Sequence, residues 1–182
     1  MRILVGIFLL GIFFACADLV QSKHLNRISQ MEKKIDSLLT VLSEINDFKF
    51  DNEIVQSKSL MSELTMLVTS DTILETDARL IHKYANGIAQ MINAQKQIKD
   101  LKQVLFDQKM SIQNLKKDIQ NGFGQRNAYD KNIFFEQTKS KKIEIKMNEI
   151  KSEKRKTYFD ITFLNPRIRK LIQSLHLKKI NA

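Results

Sequence analysis

Residues 84–119 read YANGIAQMINAQKQIKDLKQVLFDQKMSIQNLKKDI, and this stretch decides the fold. An apolar residue recurs at every seventh position without a gap: Tyr84, Met91, Ile98, Leu105, Ile112 and Ile119. The positions three residues further on hold small, apolar and polar groups, namely Gly87, Ala94, Leu101, Gln108 and Leu115. A sustained heptad repeat is typical of a helix that packs along another helix. The sequence therefore predicts a long helix from about residue 73 to 121, ended at Asn121-Gly122 because glycine adopts the left-handed cap conformation.

Two shorter helices precede this one in the prediction. Residues 20–46 carry apolar positions that alternate at spacings of three and four, which are Ile28, Met31, Ile35, Leu38, Leu42 and Ile45. Residues 47–52 interrupt the pattern with a turn in which Asp51 or Asn52 can cap a helix, and a second helix is predicted from about Glu53 to Val68. Together the two helices are long enough to fold back along the third. We therefore predict a mainly α fold of long antiparallel coiled-coil-like helices. Self-association through the long helix would bury the same seam and stays open.

Residues 123–182 differ in character from the helical region at 18–122. Lys142–Met147 alternates apolar and polar residues, and Thr157–Leu164 is rich in β-preferring residues, which favours a β-hairpin. Ile143, Met147 and Ile150 also fit one face of a helix, so both interpretations stand. Asn165-Pro166 predicts the start of a terminal helix, with Asn as cap and Pro at the first helical position. We expect the aromatic residues here to form the core of a small C-terminal unit; they are Phe134, Phe135, Tyr158, Phe159 and Phe163.

The N-terminus predicts export from the cytosol. Arg2 precedes an unbroken twelve-residue apolar run from Ile3 to Phe14, and small residues follow it. A positive charge, a short apolar run and a small-residue exit are typical of a secretory signal peptide, here residues 1–17. The run is shorter than the roughly 20 residues that a membrane-spanning helix needs.

Cys16 takes part in two interpretations of the cleavage site. Ala15-Cys16-Ala17 predicts cleavage before Asp18, which removes the cysteine with the signal. Phe13-Phe14-Ala15-Cys16 resembles a bacterial lipobox, and cleavage before Cys16 would leave that residue acylated. The resemblance is partial, since Phe13 and Phe14 replace the usual leucine and small residue. Because Cys16 is the single cysteine, neither product contains an intramolecular disulfide.

The positive charge is concentrated near the C-terminus. Residues 138–182 contain 13 Lys/Arg against four Asp/Glu, a net of +9, whereas residues 17–137 contain 16 of each. Such a segment is either a solvated basic face or a binding surface for lipid head groups, acidic glycans or an acidic protein, and we predict that it binds an anionic lipid or glycan surface. The candidate residues are Lys139, Lys141, Lys142, Lys146, Lys151, Lys154, Arg155, Lys156, Arg167, Arg169 and Lys170. The break at Gly122–Gly124 predicts that the basic region can be removed without loss of the helical body.

Catalytic and cofactor motifs are not recognisable in the sequence. His24, His82 and His176 are far apart, and no H-E-x-x-H, C-x-x-C or EF-hand pattern occurs. We therefore expect no enzyme activity, no cofactor, no metal site and, given export, no nucleic-acid partner. The expected function is that of a secreted, non-enzymatic helical protein that binds other proteins or anionic surfaces. The alternative is a bacterial envelope lipoprotein, anchored at Cys16, that serves as a spacer or scaffold.

Overall fold

The computed structural model describes the backbone of residues 2–45, 48–68 and 73–180, together with side chains from Leu19 onward in these ranges, apart from positions 48 and 126. Four α-helices account for nearly all of these residues: α1 is Arg2–Ile45, α2 is Phe48–Leu67, α3 is Glu75–Asn121 and α4 is Arg126–Ile180. The described residues contain no strand, and the prediction of a mainly α fold is confirmed. The side chains of the predicted signal peptide, including Cys16, lie outside the described part.

Helix α3 follows the heptad prediction. All six residues of the seven-residue repeat are buried, from Tyr84 to Ile119. The helix ends at the expected glycine: Gly122 has a φ of 68°. Its amide donates to the carbonyl of Ile119 at 3.3 Å, and the next amide, of Phe123, donates to the carbonyl of Asp118 at 2.8 Å. This pair of bonds is a Schellman motif, which satisfies carbonyls that the helix end would otherwise leave unpaired.

Helix α2 begins earlier than the sequence predicts. The proposed interruption at 47–52 is helical from Phe48 onward, and residues 46 and 47 are outside the described part. The reason is burial: Phe50 and Ile54 are only 2% and 4% exposed, and both belong to the same apolar cluster. Burying a Phe or Ile side chain stabilises the fold by roughly 1.5–3 kcal/mol. This gain exceeds the weak local preference of Asp51 and Asn52 for a helix cap.

The chain divides into two compact units, and α1, α3 and α4 each contribute to both. Unit 1 contains Met1–Val41 and Lys102–Ile145. In this unit α1 runs antiparallel to α3, because Glu32 pairs with Lys116 at 2.6 Å while the later Asp36 pairs with the earlier Lys109 at 2.7 Å. Between α1 and α4, Lys34 pairs with Glu144 at 2.6 Å.

A buried polar layer lies between α3 and α4 in unit 1. Gln108 donates through Nε2 to Glu136 Oε2 at 2.8 Å and to Ser140 Oγ at 3.2 Å. Ser111 Oγ donates to the other carboxylate oxygen of Glu136 at 2.9 Å. Buried polar groups are tolerated in a helical core when their hydrogen bonds are satisfied, and such a layer fixes the register of the helices.

Unit 2 contains Leu42–Leu101 and Lys146–Ala182. Its apolar core combines side chains from three helices: Phe50, Ile54, Leu60 and Leu64 from α2, Tyr84, Ile88, Met91 and Ala94 from α3, and Ile161, Leu164, Ile168, Leu171, Ile172 and Leu175 from α4. Helices α3 and α4 approach closely at Gly87, where an added Cβ would lie 2.6 Å from Ile161 Cδ1. A side chain at this position would require the end of the Ile161 side chain to shift, so glycine permits the close approach.

The β-hairpin prediction for residues 142–164 is wrong. These residues lie in the middle of α4, a single helix of 55 residues. Ile143, Met147 and Ile150 are buried on its inner face, which is the helical alternative that the sequence left open. Ile145, the residue that produces the period-two alternation, is 51% exposed. The alternation therefore reflects one apolar residue on the outer surface of a helix.

The helix start predicted at Asn165-Pro166 is also wrong, since both residues lie inside α4. Asn165 accepts a hydrogen bond from the Tyr84 hydroxyl at 2.5 Å and donates one to the Glu53 carboxylate. Its side chain is thus used between helices instead of capping its own helix. Burial raises the pKa of Tyr84 above its usual value, in keeping with a phenol whose hydroxyl bonds inside unit 2. Tertiary contacts outweigh the local signal here.

Candidate anionic-surface interface

Helix α4 carries a buried repeat that the sequence analysis missed. Apart from Ile172, which is also buried, its buried positions alternate at spacings of four and three, and they are Tyr129, Ile133, Glu136, Ser140, Ile143, Met147, Ile150, Lys154, Thr157, Ile161, Leu164, Ile168, Leu171 and Leu175. Four of these positions are polar, which hides the repeat from a count of apolar residues. Because α4 supplies core residues to both units, we expect removal of the basic region to disrupt the helical body, contrary to the prediction from the sequence.

The remaining faces of α4 carry most of the predicted binding residues. Ten of the eleven candidate cations are exposed: Lys139, Lys141, Lys142, Lys146, Lys151, Arg155, Lys156, Arg167, Arg169 and Lys170. Two of them have a nearby carboxylate, since Lys139 lies 3.8 Å from Glu136 and Lys146 lies 3.5 Å from Glu149. The Lys146–Glu149 pair is exposed on both sides and therefore weak, and Lys139 is itself exposed although the Glu136 side chain is buried. The cations therefore remain accessible to a partner.

Lys154 is the exception among the eleven, being only 8% exposed. Its ammonium group donates to the carbonyl of Ile45, the last residue of α1, and lies 4.6 Å from the centre of the Phe50 ring. A cation at a helix C-terminus is favoured by the helix dipole and satisfies a carbonyl left free by the helix end. Lys154 is thus a structural residue of unit 2.

A pocket of about 400 Å³ opens beside Lys154. Three further cations line it, Lys49, Lys151 and Arg155, together with one carboxylate, Glu44, and the aromatic side chains of Phe50 and Tyr158. The positive charge of α4 therefore extends into a concavity as well as over the helix surface.

The aromatic residues of the basic region do not form the predicted core. Phe134, Phe135, Phe159 and Phe163 are between 56% and 68% exposed. Tyr158 alone packs against the core of unit 2, as a partly buried residue. Three of the exposed rings carry a cation instead: Lys139 over Phe135 at 4.5 Å, Arg155 over Phe159 at 6.0 Å and Arg167 over Phe163 at 4.7 Å. Such cation–π contacts hold cations beside exposed apolar rings.

The three histidines lie in separate places. His24 is buried, 3.3 Å from Asp130 and edge-on to the Tyr129 ring. His82 bonds with Asn86 at 3.0 Å, and His176 bonds with Glu63 at 3.3 Å. Among the described residues no three His, Cys, Asp or Glu side chains are grouped so as to hold a metal ion.

The neighbours of Asp130 displace the pKa of its carboxyl group. A hydrogen bond from His24, followed by one from Arg27 at 2.6 Å, holds the pKa of Asp130 below its usual value. A lowered pKa in the folded state contributes stability above the ordinary carboxyl pKa, and this contribution is lost as the pH falls through the lowered value. The effect is small because Asp130 is well exposed.

Comparison of the chain with known protein families, with curated proteins and with solved structures finds no significant match. Among the described residues, no helix combines the length and apolar character needed to cross a membrane.

Proposed function

We propose that this chain is a non-enzymatic binding protein whose working surface is the outer side of α4, and that it attaches there to an anionic surface. The observation that carries the proposal is the exposure of ten cations on one helix whose inner face is fully used in the core. Each Lys or Arg near an anionic membrane contributes on the order of 1 kcal/mol. Several acting together are sufficient for attachment without a shaped ligand site.

A matched pair of charge variants tests this proposal. The α4 variant replaces four exposed lysines by Gln, at Lys141, Lys151, Lys156 and Lys170. The control replaces four exposed lysines of α3, at Lys96, Lys99, Lys102 and Lys117, and removes the same net charge. We expect the α4 variant to bind anionic vesicles or a sulfated polysaccharide about a thousandfold more weakly, because it loses four direct contacts worth on the order of 1 kcal/mol each. The α3 control variant should lose far less affinity for the same vesicles or polysaccharide. Equal losses in the two variants would show that net charge alone governs binding.

We further propose that the chain is exported under the direction of residues 1–17. The support is the combination of Arg2 with the apolar run that follows it. Replacing Leu9 and Leu10 by Lys should leave the protein inside the producing cell, because charges disrupt the apolar segment that the export machinery recognises. Replacing the same residues by Val keeps the segment apolar and should preserve export. Export of the Lys variant at the level of the Val variant would refute the signal.

The alternative proposal, a bacterial envelope lipoprotein, depends on the processing site. Mass spectrometry of the mature N-terminus separates the two: a free start at Asp18 favours a secreted protein, and a diacyl- or triacyl-modified Cys16 favours an anchored spacer or scaffold. An anchor at Cys16 is compatible with the proposed role of α4, since lipid attachment and a basic surface commonly act together.

We also propose coiled-coil packing along the heptad seam of α3. The alternate three- and four-residue spacing of buried positions in α1, α3 and α4 supports this. A protein partner or a second copy of the chain stays a proposal as well. Because the seam residues are buried within one chain, self-association through them would require helices to be exchanged between copies.

A further inference from the structure

Two phenylalanines protrude from α4 in unit 2 and are framed by arginines. Phe159 and Phe163 are 61% and 64% exposed. They are four positions apart in the sequence, so they are neighbours on one helix face. Arg155 precedes the first by four residues and Arg167 follows the second by four, each placed over the adjacent ring. Lys156 and Lys170, both exposed, extend the same region. We call these six residues the Phe–Arg patch.

One acidic residue, Asp160, lies between the ends of the patch. It is exposed, follows Lys156 by four residues, and lines a groove with Arg79, Lys83 and Gly87 of α3. The exposed row presents cation, ring, ring and cation in succession. Its apolar part is not needed for folding, since the core of unit 2 is formed by the opposite side of α4.

We propose that the Phe–Arg patch docks onto a bilayer that contains anionic phospholipid, with both phenylalanine rings inserted among the lipids. This rests on the proposed attachment of α4 to an anionic surface and specifies which surface it is. Lipid supplies phosphate groups for the cations and an apolar phase for the rings. A sulfated glycan matches the charge but offers no apolar phase. A protein partner would need a cleft shaped to receive two projecting rings.

The side-chain geometry suits a membrane interface. Arginine and lysine stems are long enough to keep their charged heads in the headgroup layer while neighbouring rings reach deeper. The cation–π contacts place the guanidinium groups beside the rings, which brings the charged and apolar parts of the patch together. Removing an exposed phenyl group from water is favourable by roughly 25 cal/mol per Å² of apolar area.

Intrinsic fluorescence provides a direct test, because the chain contains no tryptophan. Phe163→Trp places a single reporter in the patch, and Phe106→Trp places one at an exposed position of α3. With vesicles of phosphatidylcholine and phosphatidylglycerol, we expect the Phe163→Trp emission to shift to the blue and to be shielded from a water-soluble quencher. The Phe106→Trp emission should not change. With phosphatidylcholine alone, neither reporter should respond.

Affinity measurements on the full chain complete the test. Phe159→Ser with Phe163→Ser should weaken binding to the phosphatidylglycerol vesicles on the order of tenfold or more. The control, Phe106→Ser with Phe123→Ser, replaces two exposed phenylalanines outside α4 and should leave affinity unchanged. For each variant, the binding free energy for neutral vesicles is subtracted from that for anionic vesicles. This difference cancels any contribution of the apolar N-terminus, which all variants share.

The outcomes separate this inference from the broader proposal. If the α4 lysine variant loses binding but the Phe159/Phe163 variant does not, attachment is purely electrostatic and the inserted patch is refuted. Strong binding to a sulfated polysaccharide with none to the phosphatidylglycerol vesicles also refutes it, while anionic attachment stands. If the full chain binds neither, both proposals fail.

Discussion

Replacing Ile98 and Leu105 together by Asp is expected to unfold the protein. Both side chains are buried on the heptad seam of α3, at 2% and 0% exposure. Loss of a large core side chain costs about 2–5 kcal/mol, and an unpaired buried charge costs several kcal/mol more. Two such changes exceed the total stability of about 5–15 kcal/mol that is typical of natural domains. Circular dichroism at increasing temperature should show no cooperative transition.

The matched control for this variant uses the exposed side of the same helix. Ile92 and Val104 are apolar but 38% and 46% exposed, so Asp at both positions should lower the melting temperature only slightly. If the Ile98/Leu105 variant melted at the same temperature as this control, the heptad seam would not be the packed face of α3.

Pro166→Ala is expected to stabilise the protein, which is unusual for a substitution. Pro166 lies inside α4 and is exposed, and proline within a helix removes a backbone hydrogen bond and costs about 3 kcal/mol relative to alanine. Alanine restores the amide that can bond the Thr162 carbonyl, so a gain of about 1–3 kcal/mol should appear in denaturant unfolding.

The sign of this effect separates two structures of the region. If a terminal helix began at Pro166, proline would be favourable at its first position and alanine would be neutral or destabilising. Lys170→Ala, a change at another exposed position of α4, provides the reference and should alter stability by less than about 0.5 kcal/mol. A destabilising Pro166→Ala would contradict the continuous helix.

The sequence predicts helices well where apolar residues alone mark the seam. This holds for α3 and for residues 28–45 of α1, where every predicted seam residue is buried. It fails for α4, because Glu136, Ser140, Lys154 and Thr157 occupy seam positions. The hydrogen-bond partners of these polar side chains are either distant in sequence or one helical turn earlier. Glu136 accepts a hydrogen bond from Gln108, and Thr157 donates one to the Glu153 carbonyl. A search for spacings of three and four that accepts polar residues would have found this helix.

The local signals of the C-terminal region were misleading for a related reason. Asn165 serves as a link to Tyr84 and Glu53, and nothing in its neighbourhood along the chain indicates those partners. The cations of the candidate site were predictable from composition alone. The burial of Lys154 and the exposure of Phe159 and Phe163 were not predictable, because they depend on which face of α4 meets the other helices.

The most direct test of the proposed function is the salt dependence of binding to phosphatidylglycerol-containing vesicles. Charges on the exposed side of α4 are screened over a Debye length of about 8 Å at physiological ionic strength. We expect the affinity of the full chain to fall steeply as salt is raised, and the α4 lysine variant to show a clearly shallower dependence than the α3 lysine variant. An affinity that does not change with salt, or the same dependence in both lysine variants, would contradict attachment through α4.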